Sequence, residues 1–431
     1  MPTQPVLAPL ERLQSVRLEA RPVGRLGAFS ASLATLVTAL ASVSAPALAA
    51  SQAADLPSQN AARVEEAYLV GPAKAAELGC SIAWQALVPN APGQSLALVD
   101  CSPFGVVAVN TRNEITFVRA DTGDRAWMAS AAERIDRVLS AEIVSVATAD
   151  GGEQRIAVTT DTGFYTIDIK DGSSVLRRNF RHVPSTRPIV VGQALVFGTR
   201  SGQAAWFDCG SGFDMRGYTV DGPLGRSPVV AQPVENDGIV VAGSSQGTVV
   251  ALDASSSTSL WRKELLGGVV AKPAIANGIA FVASEDQYLY AFDLGSGTTL
   301  WKYFTQTPLR TSPFAAGGLV LQDIPGEGLV AFTQNPEGQL GGQVRWKKTG
   351  LTGRPIGTSS ISGGESVLLW CATARQVTVV DLRNGDAIRT IDLPKVEHLE
   401  ADTLEDGGLV AWSSDGRILR LSPVSNGSSG R

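Results

Sequence analysis

Five basic residues, Arg187, Arg226, Lys272, Arg310 and Arg354, each stand just ahead of a proline: Pro188, Pro228, Pro273, Pro313 and Pro355. Four lie within two residues of their proline, and Arg310 lies three before it. Cations repeated at one structural position can converge and draw in an anionic partner. Five aspartates recur in the same rhythm: Asp168, Asp208, Asp253, Asp293 and Asp381. Paired carboxylates could do acid–base chemistry, but their repetition ahead of turn residues assigns each Asp to hydrogen-bonding its own turn. His182 and His398 are the only histidines, and two isolated imidazoles cannot supply the three protein ligands of a catalytic zinc. The cysteines Cys80, Cys101, Cys209 and Cys371 form no CxxC or CxxCH pair, so they offer no redox motif and no attachment point for a c-type haem.

The elements that must position these residues are written in a repeat. "VVALDASSSTSLW" ends at Trp261, and "LYAFDLGSGTTLW" ends 40 residues later at Trp301. Aligned on the Asp slot, the copies fall at 119, 168, 208, 253, 293, 333, 381 and 422, spaced by 40 to 49 residues. Arg119, Thr333 and Ser422 replace Asp in three of them. A period of this length marks a repeat architecture. Between proline and Asp slot lie short alternating apolar runs broken by Gly or polar turns, as in "AIANGIAFVASEDQYLYAFD", which is the strand signal. Each unit reads as four antiparallel strands: A after the proline, B, C ending at the Asp slot, and D ending at the Trp. A proline at a strand's first residue removes no ladder hydrogen bond.

Eight such units predict an all-β, eight-bladed β-propeller over residues 80–424. Trp84, Trp127, Trp261, Trp301 and Trp346 occupy the strand-D slot, where a large ring can fill the seam between blades. Trp84 sits in "SIAWQALVP", a lone strand before the first unit, while the last unit stops after strand C. The N-terminal strand therefore supplies strand D of the eighth blade, pairing residues 80–88 with the strand around Arg417–Leu421. Closure of this kind removes two exposed sheet edges. Strand A being innermost, the five cations would ring one mouth of the central channel. Cys80 and Cys101 are close in sequence, and a bridge stays open in an oxidising compartment. They fall on outermost and innermost strands, however, beyond the Cα separation of about 7 Å that a disulfide spans.

The 431 residues are 44% hydrophobic and 18% charged, with 45 glycines and 23 prolines, the make-up of a folded globular chain rich in turns. A net charge of −5 without basic runs leaves out a nucleic-acid partner. At the N-terminus, Arg12, Arg17, Arg21 and Arg25 precede "AFSASLATLVTALASVSAPALAA", the order of a secretory signal ending near Ala49. Its loss removes four Arg and two Glu, taking the net charge to −7. Residues 50–79 read as a linker with one short helix from about Asn60 to Val70, and 425–431 as a disordered tail.

The A-L-D-x-x-x-G-x-x-x-W pattern, cleanest over residues 226–304, resembles the pyrroloquinoline-quinone (PQQ) dehydrogenase-like β-propeller repeat family. The resemblance runs from Cys80 to Pro423, and it implies that the Trp docks onto the adjacent blade. One branch of that family comprises quinoprotein dehydrogenases. The other is non-catalytic and includes the outer-membrane β-barrel assembly lipoprotein. The enzyme branch usually carries adjacent cysteines over the quinone and a carboxylate set holding calcium; neither can be assigned here. The expectation is therefore a non-enzyme without cofactor, acting as a protein-interaction scaffold of the cell envelope. The alternatives are a PQQ-dependent oxidoreductase and a small-ligand or polysaccharide binder at the cationic mouth. A lipid-anchored relative would need Cys at the cleavage site, whereas the first cysteine is Cys80. That predicts a monomeric periplasmic or secreted protein with no transmembrane span after signal cleavage.

Overall fold

In the five repeats with Asp at the slot, that Asp builds the turn between the third and fourth strands. Asp253 Oδ1 accepts the backbone N–H groups of Ser255 at 3.0 Å and Ser256 at 2.7 Å, and also both hydroxyls. Those hydroxyl donors hold its carboxyl down to about 2. Asp168, Asp208, Asp293 and Asp381 bind their own turns in the same way. The residue four positions after the slot returns its N–H to the slot carbonyl, even where Arg119 stands in for Asp. It adopts positive φ, between 69° and 77° at Gly123, Gly172, Gly212, Gly297 and Gly385, a conformation glycine enters without a steric penalty.

In this computed structural model residues 60–424 are described, except 131, 149–150, 222–228, 230, 337, 339, 360–363 and 404. The signal segment, the 425–431 tail and Arg226 lie outside the described residues. Thirty-two strands, numbered in chain order from β1 (Cys80–Leu87) to β32 (Arg417–Pro423), form eight four-stranded antiparallel sheets. Seven sheets take consecutive strands, and the eighth is ordered β1-β32-β31-β30. Leu87 pairs with Arg417, Ile82 with Leu421 and Cys80 with Pro423. The propeller closes through its N-terminal strand, as the sequence predicts.

The Trp slots explain how the blades adhere. Trp84, Trp127, Trp261, Trp301 and Trp346 each donate the indole N–H to the carbonyl one residue past the slot of the next blade. The acceptors are Ala120, Ile169, Leu294, Gln334 and Leu382, at 2.7–2.8 Å. The ring lies on the positive-φ glycine of that blade: a Cβ on Gly123, Gly172, Gly297 or Gly385 would meet it at 2.5–2.8 Å. Glycine is therefore required twice at this position, for its φ and for the room.

The slot itself differs from expectation. Trp261 is the third residue of β17 (Ser259–Glu264), so strand D runs past its Trp instead of ending there. One extra residue intervenes just before the slot in every blade, as at Leu260 between the pairs Leu252–Ser259 and Ala251–Trp261. A bulge of this kind re-aims the side chain that follows it, here towards the next blade. Where blade three carries Arg216 at the slot, Trp206 of its third strand reaches the same acceptor, donating to Ala254 O at 3.0 Å. Blade two uses Leu176, whose side chain packs on Gly212.

Residues 60–78 are a docked cap over blades seven and eight. Two helical stretches, α1 (60–67) and α2 (Pro72–Glu77), lie there. Leu69, Val70, Ala75 and Leu78 are buried with Leu393, Val396 and Leu399. Gln85 of β1 ties the segment down, accepting from Leu69 N–H at 2.8 Å and donating to Ala67 O at 3.2 Å. The sequence signals a linker because this segment precedes the first repeat and shares none of its pattern, whereas in the fold its apolar residues are buried against blades seven and eight.

Two outcomes are expected. A chain shortened to begin at Pro92 loses β1 and both helices, and should melt many degrees lower or aggregate, as followed by scanning calorimetry. Trp301, fully buried, should cost about 3–5 kcal/mol when replaced by Ala, measured by urea unfolding.

Candidate functional site: the central channel mouth

The inner strands begin at one mouth of the ring, and their register sorts the side chains into tiers. Asp100, Glu142 and Glu400 pair with Val107, Ala157 and Val410. Ile189, Val234, Ala274, Phe314 and Gly357 hold the equivalent pairings. All eight therefore stand at one level. Two pairings nearer the mouth come Leu98, Ser140, Arg354 and His398. The same register carried back from Ile189, Val234, Ala274 and Phe314 adds Arg187, Gln232, Lys272 and Ser312. Cations of blades three, five and seven thus lie one tier above carboxylates of blades eight, one and two.

Both tiers open on a cavity of about 1080 Å³ whose lining includes Asp100, Glu142, Arg187, Lys272, Arg354 and Glu400. The expected cationic ring is thereby corrected to a mouth of mixed charge. Of the five expected cations, Arg187, Lys272 and Arg354 line it. Arg310 does not; it turns to Glu285 at 2.7 Å, with most of its side chain in solvent. Arg354 is held by Glu400 at 3.2 Å. Arg187 and Lys272 have neither an ion pair nor a hydrogen bond among the described residues.

Asp100 and Glu142 keep some surface towards the channel but are walled in by protein on their other sides, whereas Glu400 is exposed. Burial pushes the Glu142 carboxyl up to about 8; Asp100 adds to the rise, and Arg187 and Lys272 oppose it. Burial likewise lifts Asp100 to about 7, with Arg187 opposing and Glu400 adding. Lys272 is lowered by burial and by Arg187. His398 lies flat on Trp412, ring centroids 3.7 Å apart, and burial lowers its pKa. His182 is in the loop before Arg187, apart from that stack. All four cysteines are free, with Cys80 on the outermost strand of blade eight and Cys101 on the innermost of blade one.

Sequence reasoning missed Asp100, Glu142 and Glu400. Blades eight, one and two lack the proline that flags strand A elsewhere, so their inner strands carried no marker. Counting back from the slots would have reached Asp100, which lies 19 residues before Arg119 as Ile189 lies before Asp208.

Comparison with known proteins places the ring. The family described as outer membrane protein assembly factor BamB matches residues 81–303 and 219–428. The chain belongs to this family. No curated protein matches it. Its fold is similar to that of BamB from Moraxella catarrhalis, at TM-score 0.59 and 16% identity over 80% of this chain and 99% of that one. It is also similar to the computationally designed Ika8 protein, at TM-score 0.56 and 16% identity over 79% of this chain and all of that one. Among the described residues no helix is long and apolar enough to cross a membrane.

The raised carboxyls make stability depend on pH. Between the ordinary carboxylate range and their folded values, the native state holds protons that the unfolded chain has released. Stability therefore falls as pH rises from about 4.5 to about 8. Glu142→Gln should flatten this decline and raise Tm most at pH 8.5; an unchanged slope by calorimetry would contradict the assignment.

Proposed function

We propose that this chain is an exported, non-catalytic propeller that docks a protein partner in the cell envelope, in the assembly of outer-membrane proteins. The match of the BamB family to the whole ring, residues 81–428, carries this reading. Export draws on the arginine-led, small-residue leader. A lipid on Cys80 would conflict with its place in β1, where the side chain is 3% exposed.

The connections leading into the charged mouth favour a protein partner. Ile135, Val183 and Leu266 stand on three of them, 88%, 44% and 99% exposed. Apolar side chains set around a charged centre are the make-up of a docking face. Chemistry through a calcium-bound quinone fits the channel poorly. Calcium needs six to eight oxygen ligands, and among the described residues no three His, Cys, Asp or Glu side chains converge to hold a metal. Arg187 and Lys272 would also repel the ion.

Affinity capture from the native envelope, read by mass spectrometry, should recover an outer-membrane assembly protein. Ile135→Glu with Leu266→Glu should reduce that recovery at least about tenfold while leaving Tm within about 2 °C, since both are surface changes. Incubated with PQQ and calcium, the protein should reduce no dye from alcohols or sugars; reduction that requires the quinone would overturn the reading.

A further inference from the structure

Four of the five expected cations are described, and they are not equivalent. Arg310 is paired with Glu285 outside the cavity, and Arg354 is paired with Glu400 at its wall. Arg187 and Lys272 share the upper tier of blades three and five, with Gln232 of blade four between them. Each precedes a proline, Pro188 or Pro273, whose locked φ fixes the direction in which the chain enters the inner strand. Both act on the protonation of Glu142, and Arg187 and Glu142 act on that of Lys272. Their charges face the cavity with no protein anion paired to them among the described residues.

We propose that Arg187 and Lys272 form a binding site for a small organic polyanion, and that Glu142 in the tier beneath competes with that ligand for the same two cations. This rests on the channel alone and is independent of the docking reading. When Glu142 is protonated, the cations are free to bind the ligand. Once it is ionised, its charge offsets theirs and repels the incoming anion. Asp100 acts in the same direction from blade one; the Arg187 charge favours its ionised form and Glu400 opposes it. Asp323 and Arg354 complete the charged lining, and His398 of the upper tier is stacked on Trp412.

Binding and proton uptake are therefore linked: the anion raises the proton affinity of Glu142, and the proton raises the affinity for the anion. With Glu142 near 8 and Asp100 near 7, affinity should fall through that pH window. Two-site coupling of this kind typically spans about 5- to 150-fold.

The test is isothermal titration of citrate, and separately of inorganic phosphate, into the full protein at pH 6.5 and pH 9. Citrate itself gains charge over this range, so its own titration works against the expected effect. At least one probe should bind at pH 6.5, should take up protons when titrated at pH 8, seen by comparing buffers of different ionisation enthalpy, and should bind at least about tenfold more weakly at pH 9. The tighter probe tells a polycarboxylate from a phosphate ester. Arg187→Gln with Lys272→Gln should abolish binding. Glu142→Gln, with a melting temperature at or above that of the parent, should bind at both pH values within about threefold. Failure of both probes at pH 6.5, or binding retained without the two cations, overturns the proposal. So does an undiminished pH dependence in Glu142→Gln, which would assign the effect to deprotonation of Lys272.

Discussion

A four-stranded blade has two apolar faces and no partner of its own, so its stability depends on the seam with the next blade. One contact recurs there: an indole N–H reaching the carbonyl just past the neighbour's Asp turn, with the ring laid on a glycine. It joins burial of a large side chain to satisfaction of its one polar group. The bulge before the slot, the Asp that shapes the turn and the positive-φ glycine all serve that contact. In blade three, where Arg216 stands in the slot, Trp206 takes the same acceptor from an adjacent strand.

Much of this was legible in the sequence because the repeat encodes it locally. Asp, Gly and Trp are punctuation with fixed spacing, and they gave blade number, strand order and ring closure. Two features were not legible for physical reasons. A bulge is a difference in pairing between two strands, which spacing along one strand does not record, so strand D was ended too early. The carboxylates Asp100, Glu142 and Glu400 meet only through the ring, across blades whose inner strands carry no proline. Arg187, Lys272 and Arg354 were found by their prolines, but the acids that share their cavity came only from register.

The same register gives the channel its electrical character. A ring of repeats tends to present one residue type at one level; here three consecutive blades contribute acids at a level where the other five contribute apolar residues or glycine. Burial then raises Asp100 and Glu142 into the physiological range, where small changes of surroundings alter their charge. A wall that the fold would otherwise leave uniform becomes sided, acidic across blades eight, one and two and basic across three and five.

Closure through β1 also sets an order of events. Cys80 is made early and Pro423 at the far end of the chain, yet they are neighbours in one sheet. During synthesis the first strand and its two helices must stay unpaired until every blade has emerged. A contact of such separation forms late and slowly, and for that interval β1 and blade eight each expose a bare edge. The ring therefore carries its greatest risk of mispairing in the nascent chain, before the last joint is made.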